Sequence, residues 1–166
     1  MHYLYAPWRD DYAKLVRNNF DGGTSCVFCT QFNENNDTKN WIIKRFKRTV
    51  IMLNKYPYNA GHILVLPHAH GGDIFALSPD IRAELMEAAT MSMQALKKLL
   101  NPPAFNMGLN LGKESGGSVT DHLHMHVLPR FTGDTNFLPV CSNTKVISTD
   151  VDILYTKLKN LFDGIE

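Results

Sequence analysis

The chain has 166 residues, of which 44% are apolar, and this is enough to form one compact domain with its own core. Its 17 basic and 16 acidic residues leave a net charge of +1, which argues against a protein that coats a nucleic-acid polymer or a membrane surface. No apolar stretch approaches the roughly 20 residues of a membrane span. The first residues lack the pattern of a signal peptide, and an odd number of cysteines, three, does not suggest a disulfide framework. We therefore expect a soluble cytoplasmic protein.

The N-terminal part of the chain combines an arm, a loop and a pair of strands. Residues 1–25 are predicted to form an aromatic arm that ends in a turn, and the polar stretch over 33–40 is typical of a loop. Thr49–Leu53 and residues 62–66 are predicted strands because both are rich in aliphatic and β-branched side chains. Turn-forming residues separate these two strands, which favours their pairing.

The clearest helix is predicted to begin after Ser78, a good N-cap residue, with Pro79 at the first helical position. Its apolar side chains recur every three or four residues, as expected for one buried face. They are Ile81, Leu85, Ala88, Ala89, Leu96 and Leu99. Two consecutive prolines, Pro102 and Pro103, end the helix.

The remaining elements are predicted to be a strand over 104–111, a loop over 112–117, a further strand, and a last helix over 150–162 capped by Thr149. The order therefore runs from strands to one long helix, back to strands, and to a terminal helix. Hairpin-type pairing with segregated helices indicates an α+β fold rather than an alternating α/β fold.

The most informative segment is His122-Leu-His124-Met-His126-Val-Leu128. Side chains alternate across a strand, so the three imidazoles are predicted to share one face while the apolar residues between them face the other. A single strand histidine is usually a hydrogen-bonded structural residue. Three in alternation are costly to bury without a task, since each ring needs a polar partner. The segment indicates either a metal cluster or nucleophilic and acid–base chemistry.

These residues resemble the signature of the histidine triad superfamily of nucleotide hydrolases and transferases. Three further segments are similar to the family's nucleotide-binding and phosphate-side segments: 54–70, 110–112 and 116–119. The resemblance covers roughly residues 26–139. Within the superfamily the closer likeness is to the bacterial diadenosine tetraphosphate phosphorylase branch, on segments 54–59, 105–112 and 133–137.

The resemblance implies a five-stranded antiparallel sheet with helices packed on it. It also implies a homodimer in which two sheets join across the long helix and an edge strand. We therefore expect a single domain with an N-terminal arm over 1–25, a nucleotide-binding catalytic core over 26–139 and a C-terminal extension over 140–166.

The resemblance also implies a covalent reaction on a purine nucleotide or dinucleoside polyphosphate such as diadenosine tetraphosphate. His124 would attack the α-phosphorus, and water or inorganic phosphate would then release the nucleotide, as in two-step covalent catalysis. His126 and His62 would flank the nucleophile and contact the phosphate. Neutral imidazole suits the nucleophilic role because its ordinary pKa is near 6.5.

Further residues are implied as substrate contacts. The phosphate would be held by Asn110, Gly117 and Ser118, with backbone N–H groups acting as in an oxyanion hole. Many relatives carry glutamine where Ser118 stands, and a shorter side chain reaches less far. Asn54 stands where relatives bind ribose, although beside Pro57 it could also serve only as a turn residue. Ile51 and Leu53 are adjacent candidates for the base pocket.

The Cys-Val-Phe-Cys motif at Cys26 and Cys29 has the spacing of half a zinc site. Zinc-containing relatives complete it with two histidines at the positions of His70 and His122, and four protein ligands would make the site structural. The competing interpretations are a redox-active cysteine pair and two buried thiols. A redox pair normally opens a helix in a βαβ pattern, which this sequence does not show.

Three other functions are compatible with the sequence. One is a phosphoramidase-like hydrolase of the same family, which would split a nucleotide from an amine. Another is a metallohydrolase in which the three alternating histidines bind catalytic zinc, although this leaves Cys26, Cys29 and His70 unexplained. The last is a non-catalytic module that binds adenylates, against which the presence of the candidate nucleophile His124 weighs.

Overall fold

The structure is a computed structural model that describes residues 26–134 and 145–164. The predicted arm over 1–25 and the segment 135–144 lie outside these residues. The described helices and strands follow one another in a simple order. They are α1 (Val27–Asn33), β1 (Ile42–Arg45), β2 (Thr49–Leu53), β3 (Ile63–Pro67), α2 (Pro79–Leu100), β4 (Ala104–Leu109), β5 (Met125–Arg130) and α3 (Val151–Asp163). Short 3₁₀ turns at Ile74–Ala76 and Lys113–Ser115 precede α2 and β5.

The five described strands form one antiparallel sheet in the order β1-β2-β3-β5-β4. The predicted α+β class and five-stranded sheet are therefore confirmed. All residues of β2 and β3 are buried because both faces of the sheet are covered at its centre. On one face Ile51 and Leu53 pack in the core beneath α2 and α3, and on the other Val50 and Met52 pack against Phe28 and Phe32 of α1..

The long helix α2 begins and ends as the sequence predicts. The Ser78 side chain accepts a hydrogen bond from the backbone N–H of Ile81, and Pro79 opens the helix. Asn101 ends it in the left-handed conformation, with φ of 47° and ψ of 46°. Of the predicted stripe, four residues are buried in the main core and two pack against its edge. The buried four are Leu85, Ala88, Ala89 and Leu96, and the two at the edge are Ile81 and Leu99.

Two elements were not predicted from the sequence, and both are short. Helix α1 spans only seven residues and has no side-chain N-cap, so its stability comes from packing Phe28 and Phe32 onto the sheet. Strand β1 has four residues and an irregular register between Ile42 and Lys44. Its adjacent Ile42 and Ile43 alternate into cores on opposite faces of the sheet. Neither segment carries a periodic pattern long enough to be recognised.

Other predicted boundaries shift by a few residues. The C-terminal helix is capped by Asp150 rather than Thr149, because the Asp150 carboxylate accepts hydrogen bonds from the N–H groups of Asp152 and Ile153. The triad strand begins only at Met125, so His122 and His124 precede it. Within the described ranges, none of the helices combines the length and apolar character that a membrane span requires.

Candidate active site and metal cluster

The alternation of the triad segment holds even though the strand begins late. Leu123, Met125 and Val127 all pack in the main core. The histidines between them turn to the other side, where the rings of His124 and His126 lie 5.0 Å apart between centroids. Backbone alternation therefore separates the apolar and imidazole side chains as the sequence predicts.

His62 joins this group from β3, next to the triad strand. It directly precedes Ile63, whose partner across the ladder is Val127. Gly61 makes the turn before it, with φ of +83°, and a Cβ there would meet the Leu100 side chain at 2.9 Å. The geometry brings His62 Nε2 to 2.9 Å from His126 Nδ1.

Hydrogen bonds fix the tautomer of each histidine. The N–H of Tyr58 donates to His62 Nδ1 at 3.1 Å, so the proton of a neutral His62 lies on Nε2. That proton is donated to His126 Nδ1, which leaves the proton of a neutral His126 on its Nε2. His126 Nε2 is buried, with no hydrogen-bond partner among residues 26–134 and 145–164. It is therefore an N–H donor that has no acceptor in the part of the chain that the structure describes.

His124 has the opposite arrangement. Its Nδ1 lies 2.9 Å from the backbone carbonyl of His122, and a carbonyl only accepts, so Nδ1 carries the proton. Nε2 of neutral His124 therefore carries a lone pair, near the His126 donor. An unprotonated ring nitrogen and an N–H donor thus lie on alternate residues of one segment.

Burial keeps these rings neutral. It lowers the pKa of His62 to about 3 and that of His126 to about 4, with a smaller contribution from the neighbouring histidines. Burial also lowers the pKa of His124, and the hydrogen bond that His124 Nδ1–H donates to the His122 carbonyl opposes this shift. All three rings are therefore neutral near pH 7, and His124 can have a lone pair on Nε2 only in this neutral form.

His124 and His126 line a cavity between α1, β2 and the loop before β5. The predicted residues Asn54, Leu53, Asn110, Gly117 and Ser118 also line it. Side chains that the sequence analysis did not assign to the cavity complete the wall. They are Val27, Phe28, Gln31, Met52, Lys55, Tyr56, Tyr58, Leu64 and Val119.

The candidate base-pocket residue Ile51 does not line this cavity. Its side chain is fully buried in the main core on the other face of the sheet, because it alternates with Met52 along β2. Met52 and Leu64 face the cavity instead. His62 lies behind His126 and is itself fully buried.

The polar end of the cavity is closely packed. A Cβ at Gly117 would meet the Asn110 side chain at 3.1 Å, so glycine allows the loop to approach this amide. Asn54 also lines the cavity. Its amide oxygen accepts a hydrogen bond from the backbone N–H of Tyr56 at 2.9 Å, and its amide nitrogen lies 3.2 Å from His62 Nδ1. Asn54 therefore closes the turn and also faces the cavity, so the two predicted roles are compatible.

The second cluster brings together Cys26, Cys29, His70 and His122, whose ligand atoms all lie within 4.8 Å of one another. His122 Nδ1 lies 3.4 Å from Cys26 Sγ and 3.5 Å from Cys29 Sγ, and His70 Nδ1 lies 3.5 Å from Cys29 Sγ. Tetrahedral zinc with ordinary Zn–S and Zn–N bonds separates sulfur from nitrogen by roughly 3.5 Å. The four residues thus fit a zinc ion.

The surroundings of His122 and Cys26 also favour the binding of a cation by this cluster. His122 Nε2 donates to the Pro67 carbonyl at 2.9 Å, so Nδ1 is the free ligand atom and faces the sulfurs. Burial raises the pKa of the Cys26 thiol to about 11, so the thiolate form needs a cation beside it. The cluster lies directly behind the cavity, because Phe28 separates a cluster residue from a cavity residue. The centroid of its ring lies 5.6 Å from that of His122 and 5.4 Å from that of His124.

Comparison with known proteins identifies the family. Residues 35–133 match the HIT domain family. The "AP-4-A phosphorylase" of Mycobacterium tuberculosis H37Rv is 35% identical over 147 residues, which cover 87% of this chain and 75% of that protein. The chain therefore belongs to the HIT domain family, as its histidine triad indicates.

Two other relatives bear on the site. The asymmetrical bis(5'-nucleosyl)-tetraphosphatase of Schizosaccharomyces pombe is 28% identical over 93 residues, covering 56% of this chain and 50% of that protein. The crystal structure of a zinc-bound histidine triad family protein from Mycobacterium smegmatis superposes with a TM-score of 0.67 at 25% identity. The match covers 86% of this chain and 98% of that one.

Proposed function

We propose that the protein transfers a nucleotidyl group from a dinucleoside polyphosphate such as diadenosine tetraphosphate, through a covalent intermediate on His124. The observation that carries this proposal is the free lone pair on His124 Nε2 beside the unpartnered His126 donor, in one cavity. The names of the M. tuberculosis and S. pombe relatives support the substrate class.

The first step breaks one phosphoanhydride bond and forms a phosphorus–nitrogen bond. His124 Nε2 supplies the electron pair to the α-phosphorus, and the leaving phosphate oxygen takes the pair of the broken bond. The ring gains positive charge, which the His122 carbonyl stabilises through the Nδ1–H bond. His126 Nε2–H donates to a phosphate oxygen as negative charge develops.

In the second step, water or inorganic phosphate attacks the same phosphorus and His124 leaves with its original electron pair. His62 acts as a positioning residue, because its bond to His126 Nδ1 holds the donor proton on the far nitrogen. At the polar end of the cavity, Asn110, Ser118 and the N–H groups near Gly117 would bind phosphate oxygens.

The nucleoside would occupy the rest of the cavity. Asn54 lies beside His62 and is the candidate ribose contact. Met52 and Leu64 contribute apolar surface from one face of the sheet, Leu53 lines the cavity at the end of β2, and Phe28 covers it from α1. Ile51 is replaced in this role by Met52 because of its place in the core.

Zinc would be held by Cys26, Cys29, His70 and His122 as a structural ion. Four protein ligands leave no open position for substrate, so the chemistry such an ion supplies is the fixing of α1 and the triad segment to each other. The zinc-bound relative from M. smegmatis supports this assignment.

We also propose a homodimer joined through α2 and the edge strand β4. Four of the six residues of β4 are exposed, and among the described strands β4 pairs only with β5. A free strand edge is a ready surface for pairing with a second copy. Light scattering should give about twice the chain mass of 18.8 kDa, and a monomer mass would contradict the dimer.

The function is tested by incubating the purified protein with diadenosine tetraphosphate, with and without inorganic phosphate, and separating the products. ADP and ATP formed only with phosphate would establish a phosphorylase, and AMP and ATP formed without phosphate would establish a hydrolase of the same mechanism. If neither set forms, the proposed substrate is wrong, and adenosine phosphoramidates are the next substrates to test.

A further inference from the structure

The half-buried Gln31 side chain carries a buried oxygen atom that the reaction does not use. It lines the same cavity as His124. Its Oε1 atom is shielded from solvent and has no hydrogen-bond partner among the residues the structure describes. Its backbone carbonyl accepts a hydrogen bond from the Asn40 side chain at 3.3 Å, which anchors the main chain. Buried acceptors are normally satisfied, so this one is available to a ligand.

The position of Gln31 assigns it to the base rather than to the phosphates. Val27, Phe28 and Gln31 are spaced four and three residues apart on α1 and share one face of the helix. The Phe28 ring lies 5.4 Å from the His124 ring, and Gln31 lies roughly 4.5 Å further along the helix axis. The amide therefore stands in the apolar wall, beyond the reacting group.

A glutamine amide combines an acceptor and a donor, which matches one edge of adenine. Its oxygen can accept from the exocyclic N6 amine while its nitrogen donates to the adjacent N7. Guanine presents O6 at the same place, so an acceptor would face an acceptor. We propose that Gln31 reads the purine base in this way and makes the site prefer adenine. This inference rests on the proposed function, since it assumes that a nucleotide occupies the cavity.

The test pairs a change in the protein with a change in the ligand. Calorimetry would measure binding of AMP, GMP and purine riboside 5'-monophosphate, which lacks only the amine, to the full-length protein and to Gln31→Leu. The wild type should prefer AMP over the ligand without the amine by about 10-fold. Gln31→Leu should bind these two ligands equally, and Gln31→Glu, which keeps an acceptor, should retain the preference.

A control separates the amide from the helix that carries it. Asn33→Leu changes an exposed amide on the same helix outside the cavity, and it should leave the preference unchanged. If Gln31→Leu retained the wild-type preference, the assignment of Gln31 would be wrong while the proposed function stood. If the wild type bound no adenine nucleotide, the proposed function itself would fall. Should Gln31→Leu not fold, equal affinity of the wild type for AMP and the ligand without the amine would overturn the inference.

Discussion

The metal cluster and the cavity lie side by side on the triad segment, yet their polar atoms differ in one respect. In the cluster, both ring nitrogens of His122 have protein partners: Nδ1 faces the cysteine sulfurs, and Nε2–H donates to the Pro67 carbonyl. In the cavity, His126 Nε2 and Gln31 Oε1 are buried with no hydrogen-bond partner in the described ranges. Other protein atoms thus satisfy both ring nitrogens in the first site, whereas the second site contains a buried donor and a buried acceptor that no described residue satisfies.

The two regions are joined through backbone and packing. The carbonyl of His122, a cluster residue, accepts the proton that orients His124. Phe28, which lies between the two cysteines in the sequence, contacts the rings of both His122 and His124. We therefore expect changes in the cavity to affect catalysis with little loss of stability, and changes in the cluster to affect stability first.

The largest expected effect is that of His124→Ala. Without the nucleophile, kcat for diadenosine tetraphosphate should fall by about 10⁴-fold or more, because loss of a nucleophile removes the covalent route. AMP affinity, measured by calorimetry, should change only a few-fold. His68→Ala, an exposed histidine outside the cavity, is the matched control. Turnover close to wild type in His124→Ala would exclude the covalent mechanism.

Loss of one cluster ligand should mainly destabilise the protein. Cys29→Ser removes the sulfur that lies 3.5 Å from the Nδ1 atoms of both His70 and His122, so zinc measured by mass spectrometry should fall well below one ion per chain. The melting temperature should drop by about 10 °C, since a structural zinc contributes several kcal/mol. Cys141→Ser should change neither value. Full zinc content in Cys29→Ser would show that the cluster is not the metal site.

Removing the cavity donor should reduce the rate without affecting the metal. His126→Phe keeps a ring but loses Nε2–H, and kcat should fall by about 10²-fold to 10³-fold, as for other donors to a developing charge. His126→Gln restores an N–H group and should recover part of the rate at unchanged zinc content. Equal rates for the two variants would mean that the donor does not act in the transition state.

The lowered histidine pKa values predict an unusual pH dependence. Since the pKa of His126 is about 4 and that of His62 is about 3, both rings stay neutral down to about pH 5, and kcat/KM should lose no activity through their protonation between pH 8 and about 5. An acid limb centred near pH 6.5, with zinc retained, would contradict their neutral state.

The same groups make stability fall on acidification. Below the ordinary histidine pKa the unfolded chain binds protons that the folded chain does not. The free energy of unfolding should therefore decrease by up to about 1.4 kcal/mol per pH unit for each group. The decrease should begin near pH 6.5 and level off as the pH reaches the folded pKa of each ring. Denaturant titrations at several pH values would measure it, and a flat profile would contradict it.

The smallest effects are expected from two conservative substitutions on opposite faces of the sheet. Ile51→Val, in the core, should lower the free energy of unfolding by about 1 kcal/mol and leave KM unchanged. Leu64→Val, in the cavity wall, should have a comparable effect on stability but raise KM. Urea titration and steady-state kinetics on both variants check this, and a raised KM in Ile51→Val would place that side chain at the substrate.

The sequence predicted the features that depend on local pattern. Helix α2, with its serine cap and proline start, and strand β2 follow from propensity and periodicity, and the triad alternation follows from strand geometry. The cysteine spacing likewise indicated half of a metal site. The resemblance to the histidine triad superfamily supplied the number of strands and their antiparallel arrangement in one sheet.

The parts that sequence reasoning missed depend on contacts between distant segments. Strand alternation shows that Ile51 and Met52 face opposite ways, but only the packing of α1 over Met52 decides which face holds the cavity. Helix α1 is too short for its period to be recognised, so nothing in the sequence indicates that Gln31 lines the cavity. The histidine tautomers depend on Tyr58 and the His122 carbonyl, which are visible only in the folded chain.

The central claim is that His124 becomes nucleotidylated. The most direct measurement is to mix the protein with diadenosine tetraphosphate for a single turnover, quench it in neutral denaturant, and analyse the tryptic peptide over 114–130 by mass spectrometry. The covalent mechanism requires an added adenylyl group that fragmentation assigns to His124 and that His124→Ala lacks. Product formation with no adduct on this peptide, or with an adduct on His122 or His126, would contradict it.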